Sequence, residues 1–426
     1  MRGYYTYPDS GSAAPERPRH IAVVTQGVKL GDETRGYTRF RFIAQALAQA
    51  GFKVDLITST FQHWDKAQRD TGRTCYEGHP YNIRFIYEPG YRRNLDPGRI
   101  RSHRVLARNL KAYFASRFAD HARAYDLIYS EIPPNDMALV CAEAADRHGI
   151  PYVADVNDLW PEAMRMAVDV PVLSDIAFAP FARDAKRVYN LMTAAVGTSD
   201  EYAARPAKDR SAPYERRTVY VGNQLAVFDE GARTCAPLVS KPEGEFWVTY
   251  AGTLGASYDL ATLIRASVSA AARDGRIRVK LLGDGPDRAA LEELASSLGA
   301  PVDFIGYAPY DLMAAYLCAS DVTVNSLVAD AAQSIVTKIG DYLAAGIPLI
   351  NTGSSPEFRA KVESDGFGVN VAAEDPAALA AAILALAADP GRCKAMGAAG
   401  RRIAEEQFDQ EHSYQVIVDL IRDLTD

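Results

Sequence analysis

Apolar residues along the chain gather in short continuous runs separated by longer amphipathic stretches, the pattern of buried parallel strands alternating with helices. The first run is His20-Ile-Ala-Val-Val-Thr-Gln-Gly27 and the second Lys53-Val-Asp-Leu-Ile-Thr-Ser-Thr60, while Phe40, Ile43 and Leu47 recur between them at helical spacing. Further strands are read at Asn82–Tyr87, Tyr125–Ser130, Tyr152–Val156, Ala194–Ser199 and Thr218–Asn223. The periodicity then lapses, and residues 224–244, with two prolines, glycine and mixed charge, read as a linker.

The pattern restarts with Phe246-Trp-Val-Thr-Tyr-Ala-Gly252 and continues through strands read at Arg278–Leu282, Val302–Gly306, Val322–Leu327, Leu349–Thr352 and Gly368–Val371. Two successive series of strand–helix units predict an α/β protein built from two doubly wound, Rossmann-like parallel-sheet domains facing a cleft. The expected division is a loose segment 1–18, a first domain 19–223, the linker, a second domain 245–408, and a C-terminal helix 409–426. A Gly-x-Gly-x-x-Gly fingerprint is missing after the first strand, which argues against a nicotinamide or flavin enzyme.

Composition narrows the classes. A chain of 426 residues with 48% hydrophobic content has ample length for two cores. Its five cysteines, Cys75, Cys141, Cys235, Cys318 and Cys393, are odd in number and widely spaced, which fits neither a disulfide framework nor structural zinc. No His-Glu-x-x-His or similar set appears, so no metal or other cofactor is expected. The first residues hold no apolar core of a signal peptide and no apolar run reaches transmembrane length, so the cytoplasm is the expected compartment. A net charge of −7 argues against a general nucleic-acid binder.

The charge is uneven. Arg92, Arg93, Arg99, Arg101, Arg104, Arg108, Lys111 and Arg117 follow the third strand, with Asp96 the only acid among them. Arg101, Arg104, Arg108 and Lys111 recur at spacings of three and four, so a helix aligns them as one ridge, with Leu106, Leu110, Tyr113, Phe114 and Phe118 supplying an apolar side. Such a ridge is either a solvated face or a patch that rests on anionic lipid at roughly 1 kcal/mol per basic residue.

Chemistry concentrates in the segment Gln333 to Gly346. Ser334 to Ala345 reads as a helix stopped by Gly346 and Pro348, and its first turn would offer free amides to an anion. Lys338 near that start is placed to neutralise phosphate, and Asp341 to accept from sugar or ribose hydroxyls, unless the two are a solvated pair. In the first half, Arg35-Gly36-Tyr37-Thr38-Arg39 sets a glycine between two guanidiniums, either a fork for phosphate or carboxylate or a surface pair. His63 and Lys66 leave the second strand on the side where open sheets bind ligands, His63 as base or bystander. Asp158-Leu-Trp-Pro-Glu162 follows the fifth strand; its acids can bind hydroxyls or take a proton, and Asp158 can cap the next helix.

These last segments carry a resemblance. Ser334…Lys338-Ile-Gly-Asp341-Tyr-Leu-Ala-Ala-Gly346-Ile-Pro resembles the donor-site helix of retaining glycosyltransferases of family 4, and Asp158–Glu162 is similar to a loop in one branch of that family. The resemblance implies the GT-B fold and transfer of a sugar from a nucleoside-diphosphate donor to an acceptor hydroxyl with retention. On it, Asp341 matches the acid that holds the ribose, and Gln333 stands where a donor-sugar glutamate is usual. Gly252-Thr253-Leu-Gly255 is similar to the family's Gly-Arg-Leu loop with Thr253 in place of the phosphate-binding arginine, so the missing charge is expected from Lys338 with Arg35 or Arg39. Gly283-Asp284-Gly285-Pro286 matches the Gly-x-Gly-Pro motif beside the donor, and backbone around Tyr307 is expected to hold the base.

Asp158, Glu162, Gln333 and Lys338 thus form the expected catalytic set, with Ser334 and Ile335 among the donor contacts. Arg35, Gly36, Arg39, His63 and Lys66 form the phosphate and acceptor side. The resemblance also implies that the last helix crosses back onto the first domain. With the basic ridge it suggests a glycan or lipid-linked saccharide acceptor, used in cell-surface polysaccharide or glycolipid assembly at the inner face of the membrane. Two alternatives stay open: a hydrolysing sugar-nucleotide 2-epimerase of the same architecture, drawing on Asp158, Glu162 and His63, and a non-catalytic sugar-nucleotide-binding subunit.

Overall fold

A computed structural model describes residues 17–33, 36–93, 96–122, 124–167, 173–331 and 335–426. The first sheet is built from β1 (His20–Val24), β2 (Lys53–Ser59), β3 (Asn82–Ile86), β4 (Leu127–Ile132), β5 (Tyr152–Val156), β6 (Ala194–Gly197) and β7 (Glu215–Thr218). Their order is β3-β2-β1-β4-β5-β6-β7, every pairing parallel. Ile21 pairs with Val54 on one side and Leu127 on the other, so the chain reverses its direction of travel across the sheet between β1 and β4.

The second sheet comprises β8 (Phe246–Ala251), β9 (Ile277–Leu282), β10 (Val302–Gly306), β11 (Val322–Asn325), β12 (Leu349–Asn351) and β13 (Gly368–Asn370). It is ordered β10-β9-β8-β11-β12-β13, again all parallel, with its reversal between β8 and β11. The expected pair of doubly wound α/β domains is therefore present. Ligands of such sheets bind beyond the carboxyl ends of the strands at these reversal points, which fixes where a site is to be sought.

The linker expectation is overturned. Residues 225–235 form the helix Leu225–Cys235, and Leu225, Phe228 and Ala232 are buried against the Tyr310–Ala319 helix. Those three positions stand at i, i+3 and i+7, a helical stripe that the flanking prolines and glycines obscured. The last strand of the first sheet also comes earlier than expected, at Glu215–Thr218, because residues 219–223 serve as the crossover. There Asn223 N donates to Phe408 O (2.9 Å), Gln410 N donates to Asn223 O (2.9 Å), and Tyr220 stacks on Phe408 at 4.8 Å. Gly222 lets the two strands of chain touch, since a Cβ there would stand 1.9 Å from Phe408 O.

The final helix, Gln415–Thr425, lies on the first lobe. Ile417, Val418, Leu420 and Ile421 pack with Phe40, Ile43 and Leu47 of the Arg39–Gln49 helix. Beneath it Arg39 is buried, donating to both oxygens of Asp155 (2.9 and 3.1 Å) and to Val219 O (2.9 Å), with its guanidinium 5.2 Å from the Tyr414 ring centre. Arg39 therefore does not reach a phosphate, contrary to expectation; a carboxylate inside the core claims its fork.

The basic stretch forms the Pro97–Phe118 helix, begun by Pro97 and capped by Asp96, whose Oδ1 accepts from Gly98 N (2.7 Å). Leu106, Leu110 and Phe114 are buried, whereas Arg101, Arg104, Arg108 and Lys111 are exposed. Among the described residues no helix is long and apolar enough to cross a membrane.

Candidate active site

At the reversal of the second sheet, the loops leaving β8 and β9 lie against each other. Gly252 takes φ +154° and Gly283 φ +127°, and a Cβ on Gly283 would stand 1.8 Å from Gly252 O. Leu254 N donates to Asp284 O (3.0 Å), and Gly285 packs so closely that a Cβ would meet Leu254 O at 2.2 Å. The glycines are required because backbone here packs on backbone. Thr253 and Asp284 remain exposed at the rim.

Into this junction reaches Lys338. Its amino group lies 4.1 Å from the Tyr250 ring centre and 3.8 Å from that of Tyr258, and Nζ donates to Tyr250 Oη (2.9 Å). Tyr250 in turn donates to Thr253 O (2.7 Å), so the turn itself fixes the phenol that fixes the amine. A Cβ on Gly252 would stand 2.7 Å from Lys338 Nζ. Burial drives the Lys338 pKa well below the usual lysine value. The two ring faces offer the ammonium partial compensation.

The helix behind Lys338 is shorter than expected. It runs Ile339–Ala344, with Lys338 as its N-cap and Ile339 N turned back to Val336 O (3.1 Å). The long helix start expected to seat an anion is therefore not formed over residues 335–338. Gln333 and Ser334, like Arg35, lie outside the described residues, and Ile335 packs half-buried against the second core. Asp341 Oδ1 accepts from Asn223 Nδ2 (2.7 Å) and Tyr310 Oη (2.8 Å), and burial raises its pKa against the effect of those bonds. Asp341 and Lys338 are therefore not a solvated pair, each having its own partners. Tyr307 beyond β10 is 74% exposed and open to a ligand.

Across the cleft, Gly36 closes a turn in which Lys29 N donates to Tyr37 O (2.8 Å); its φ of +132° and the Lys29 backbone 3.1 Å from a would-be Cβ call for glycine. Tyr37 meets Trp64 edge-on at 5.0 Å. The residue is more than half exposed, yet its pKa is raised, by burial first and then by Asp158, Tyr258 and Glu131. Tyr37 thus stands between the lobes. Asp158 binds Leu159 N (2.8 Å) and Trp160 Nε1 (3.1 Å), and burial raises its pKa. Glu131, at the end of β4, accepts from Gln26 N and from Gly27 N (3.3 Å), and burial pushes its pKa up to about 7.

Two expected groups are drawn elsewhere. Glu162 is ion-paired with Arg205 (2.5 Å), which also holds Asp209 (2.6 Å). His63 Nδ1 lies 2.5 Å from Tyr91 Oη, and burial with Lys66 and Arg99 pushes its pKa down to about 4, which keeps it neutral near pH 7. Lys66 Nζ donates to His63 O (2.6 Å) and stands 4.8 Å from the Tyr91 ring centre. Sequence reasoning missed Tyr250, Tyr258, Tyr310 and Asn223. The available signal was aromatic residues at or just after strand ends on the ligand side of the sheet.

Residues 245–389 match the family described as Glycosyl transferases group 1. Among solved structures, sucrose-phosphate synthase from Thermosynechococcus elongatus superimposes over 95% of this chain and 99% of its own, at 20% identity and a TM-score of 0.68. Anabaena HepE in complex with UDP covers 95% and 100% at 16% identity and TM-score 0.67. WaaG, a glycosyltransferase involved in lipopolysaccharide biosynthesis, covers 94% and 99% at 14% identity and TM-score 0.65. Among curated protein sequences none matches. At such identities the structural likeness shows the fold, which is GT-B. A glycosyl transferases group 1 domain set as the second lobe of a GT-B fold makes this chain an enzyme, a glycosyltransferase.

Proposed function

We propose that the protein transfers a sugar from a nucleoside-diphosphate sugar to an acceptor hydroxyl with retention at the anomeric carbon. The observation that carries this reading is the Lys338 amino group, held by Tyr250 and Tyr258 against the Gly252 turn at the sheet's reversal point. As the bond between sugar and diphosphate breaks, charge gathers on the departing phosphate oxygen. An ammonium already in place, in a site poor in water, stabilises that charge with little reorganisation.

Asp341, oriented by Asn223 and Tyr310, is the acceptor for ribose hydroxyls, and the exposed Tyr307 marks the place of the base. Asp158, opposite, suits a sugar or acceptor hydroxyl. Retention is supported by the likeness of these segments to family 4. Anabaena HepE has been solved with UDP-glucose, so that is the first donor to try. The 2-epimerase reading loses support, because Glu162 is held by Arg205 and His63 by Tyr91.

The exposed ridge of Arg101, Arg104, Arg108 and Lys111 suits an acceptor presented at an anionic membrane surface, a glycan or lipid-linked saccharide of cell-surface assembly on the cytoplasmic side. Replacing the four by Ser is expected to abolish flotation with anionic vesicles; unchanged flotation overturns the membrane part. For the transfer itself, the purified protein is given UDP-glucose with a panel of saccharide acceptors, and proton NMR reads the product. UDP release that requires acceptor, with an α-anomeric product, agrees with the reading. A β-linked product defeats retention, and acceptor-independent release with epimerised free sugar defeats transfer.

A further inference from the structure

At the end of the first sheet away from the cleft, where β2 begins at Lys53, side chains of three elements form an open groove. Lys53, Asp55 and Ile57 share one face of β2, and Asn82, Arg84 and Ile86 the same face of β3, because Asp55 pairs with Asn82 and Ile57 with Arg84. Ile57 and Ile86 pack with Leu106, Leu110 and Phe114 of the Pro97–Phe118 helix. That helix ends at Phe118, and toward the start of β2 the same face turns polar, with Asp55 and then Lys53. The resulting groove, of about 540 Å³, is lined by Lys53, Arg84, Tyr113, Ser116 and Arg117, three cations and no acid.

The acid lies beneath. Asp55 is fully buried and accepts from Asn82 Nδ2 (2.9 Å), Tyr125 Oη (2.8 Å) and Arg117 (3.0 Å), with His20 Nε2 at 3.4 Å and Arg84 Nε at 3.6 Å. Burial by itself would raise its pKa, but His20, Tyr125, Asn82 and the Arg84 charge together hold it below the ordinary value, so it carries one negative charge. Tyr125 gives its only proton to Asp55, so Tyr113 Oη donates to Tyr125 Oη (2.8 Å) and lends the groove its ring rather than a donor. Arg117 is fixed by Asp55 and by the Tyr125 ring, whose centre is 5.2 Å away.

One carboxylate is balanced by that one guanidinium. Arg84, its side chain 44% exposed, stands farther from the same acid, and the exposed Lys53 ammonium has no ion-pair or hydrogen-bond partner among the described residues. Asp126, the acid beside His20, does not cancel the surplus, being taken by Arg17 (3.1 Å) and His20 N (2.7 Å). A single exposed cation would be no more than a solvated side chain. Here a fork and a point charge on paired strands line one groove with a third cation anchored from within, a donor set that suits a phosphate oxyanion. The two cations that Asp55 leaves over match the charge of a phosphomonoester.

We propose that this groove is an anion site separate from the catalytic cleft, in which Lys53, Arg84 and Arg117 bind a phosphomonoester. The site stands whether or not the cleft transfers sugar.

The test titrates glycerol 3-phosphate and, as the uncharged control, glycerol into the full chain by calorimetry, for the parent, Lys53→Gln, Arg84→Gln, Arg104→Gln and Lys338→Met. Lys53→Gln breaks no ion pair, so its fold is not at risk. Glycerol 3-phosphate is expected to bind the parent, Arg104→Gln and Lys338→Met alike, and each groove variant about tenfold more weakly. Equal binding by the parent and both groove variants overturns the proposal, as does equal binding of glycerol. So does loss in Lys338→Met alone, which puts the phosphate in the cleft.

Vesicle flotation separates the two sources of such a phosphate. A preference for phosphatidic acid over phosphatidylglycerol at equal surface charge, lost in Lys53→Gln, places it on a lipid headgroup. Absence of that preference, with glycerol 3-phosphate binding lost in Lys53→Gln, places it on a soluble ligand.

Discussion

Lys338 carries its amino group to 3.8 Å from the centre of the Tyr258 ring while it donates to Tyr250 Oη. A lysine at a helix N-cap is thereby delivered to the turn that follows another strand, beside Thr253. Lys338 is half-buried there, and its charge depends on what binds.

The first prediction concerns rate. Lys338→Met keeps the packing between the two rings and removes the charge, so turnover of UDP-glucose should fall by about 10²–10³-fold, as when a transition-state donor is lost. Thermal unfolding separates this from misfolding. A variant that melts like its parent and turns over as fast would sink the assignment.

A second prediction follows from the lowered Lys338 pKa. The free site gives up its proton below the ordinary lysine range, and a bound diphosphate restores it. UDP binding should therefore take up a proton in the window between the two, with affinity falling as pH rises through that window. Calorimetry in buffers of different ionisation enthalpy reads the uptake, and Lys338→Met should abolish it. Because the unfolded chain holds more protons than the folded one in that range, stability of the free protein should rise with pH there.

Arg39 supplies a contrast. Its removal leaves Asp155 buried without its counter-ion, so Arg39→Met should cost roughly 3–5 kcal/mol of stability, read as a fall in denaturant midpoint. UDP affinity of the protein that remains folded should not change. Loss of affinity at full stability would return Arg39 to the phosphate side.

Glu131 sets a pH dependence of the opposite sign. Its pKa is raised from 4.5 to about 7, so between those values the folded chain holds a proton that the unfolded chain has lost. That stabilisation is fully present below 4.5 and declines as pH rises to about 7. Glu131→Gln should flatten this part of the stability profile, and an identical slope in both proteins would show that another group is responsible.

Gly283→Ala tests the seam beneath the site. Its Cβ would stand 1.8 Å from Gly252 O, backbone that cannot rotate aside. The variant should be among the severely destabilised ones, by more than about 4 kcal/mol, with a melting temperature that falls well below that of Gly275→Ala, where a Cβ meets nothing within 4 Å.

Much of the fold was legible locally. Tyr152–Val156 and Phe246–Ala251 announce themselves as strands because an element buried on both faces is mostly apolar, whatever it packs against. The glycines at 252, 283 and 285 mark turns for a similarly local reason. The Leu225–Cys235 helix was missed because its stripe of three apolar residues is weak until the Tyr310–Ala319 helix is there to cover it.

By itself the order of residues determined two runs of alternating strand and helix, and hence two parallel sheets and the edges at which ligands are bound. It also set Lys338 and Asp341 three residues apart in one helical segment. Which side chains act, and which merely hold the core, was decided only by the fold. Arg39 finds Asp155 across 116 positions and Lys338 finds Tyr250 across 88, separations over which neither periodicity nor spacing carries information. A buried charge takes whatever partner packing brings to it, and that choice separated the arginine in the core from the lysine in the cleft.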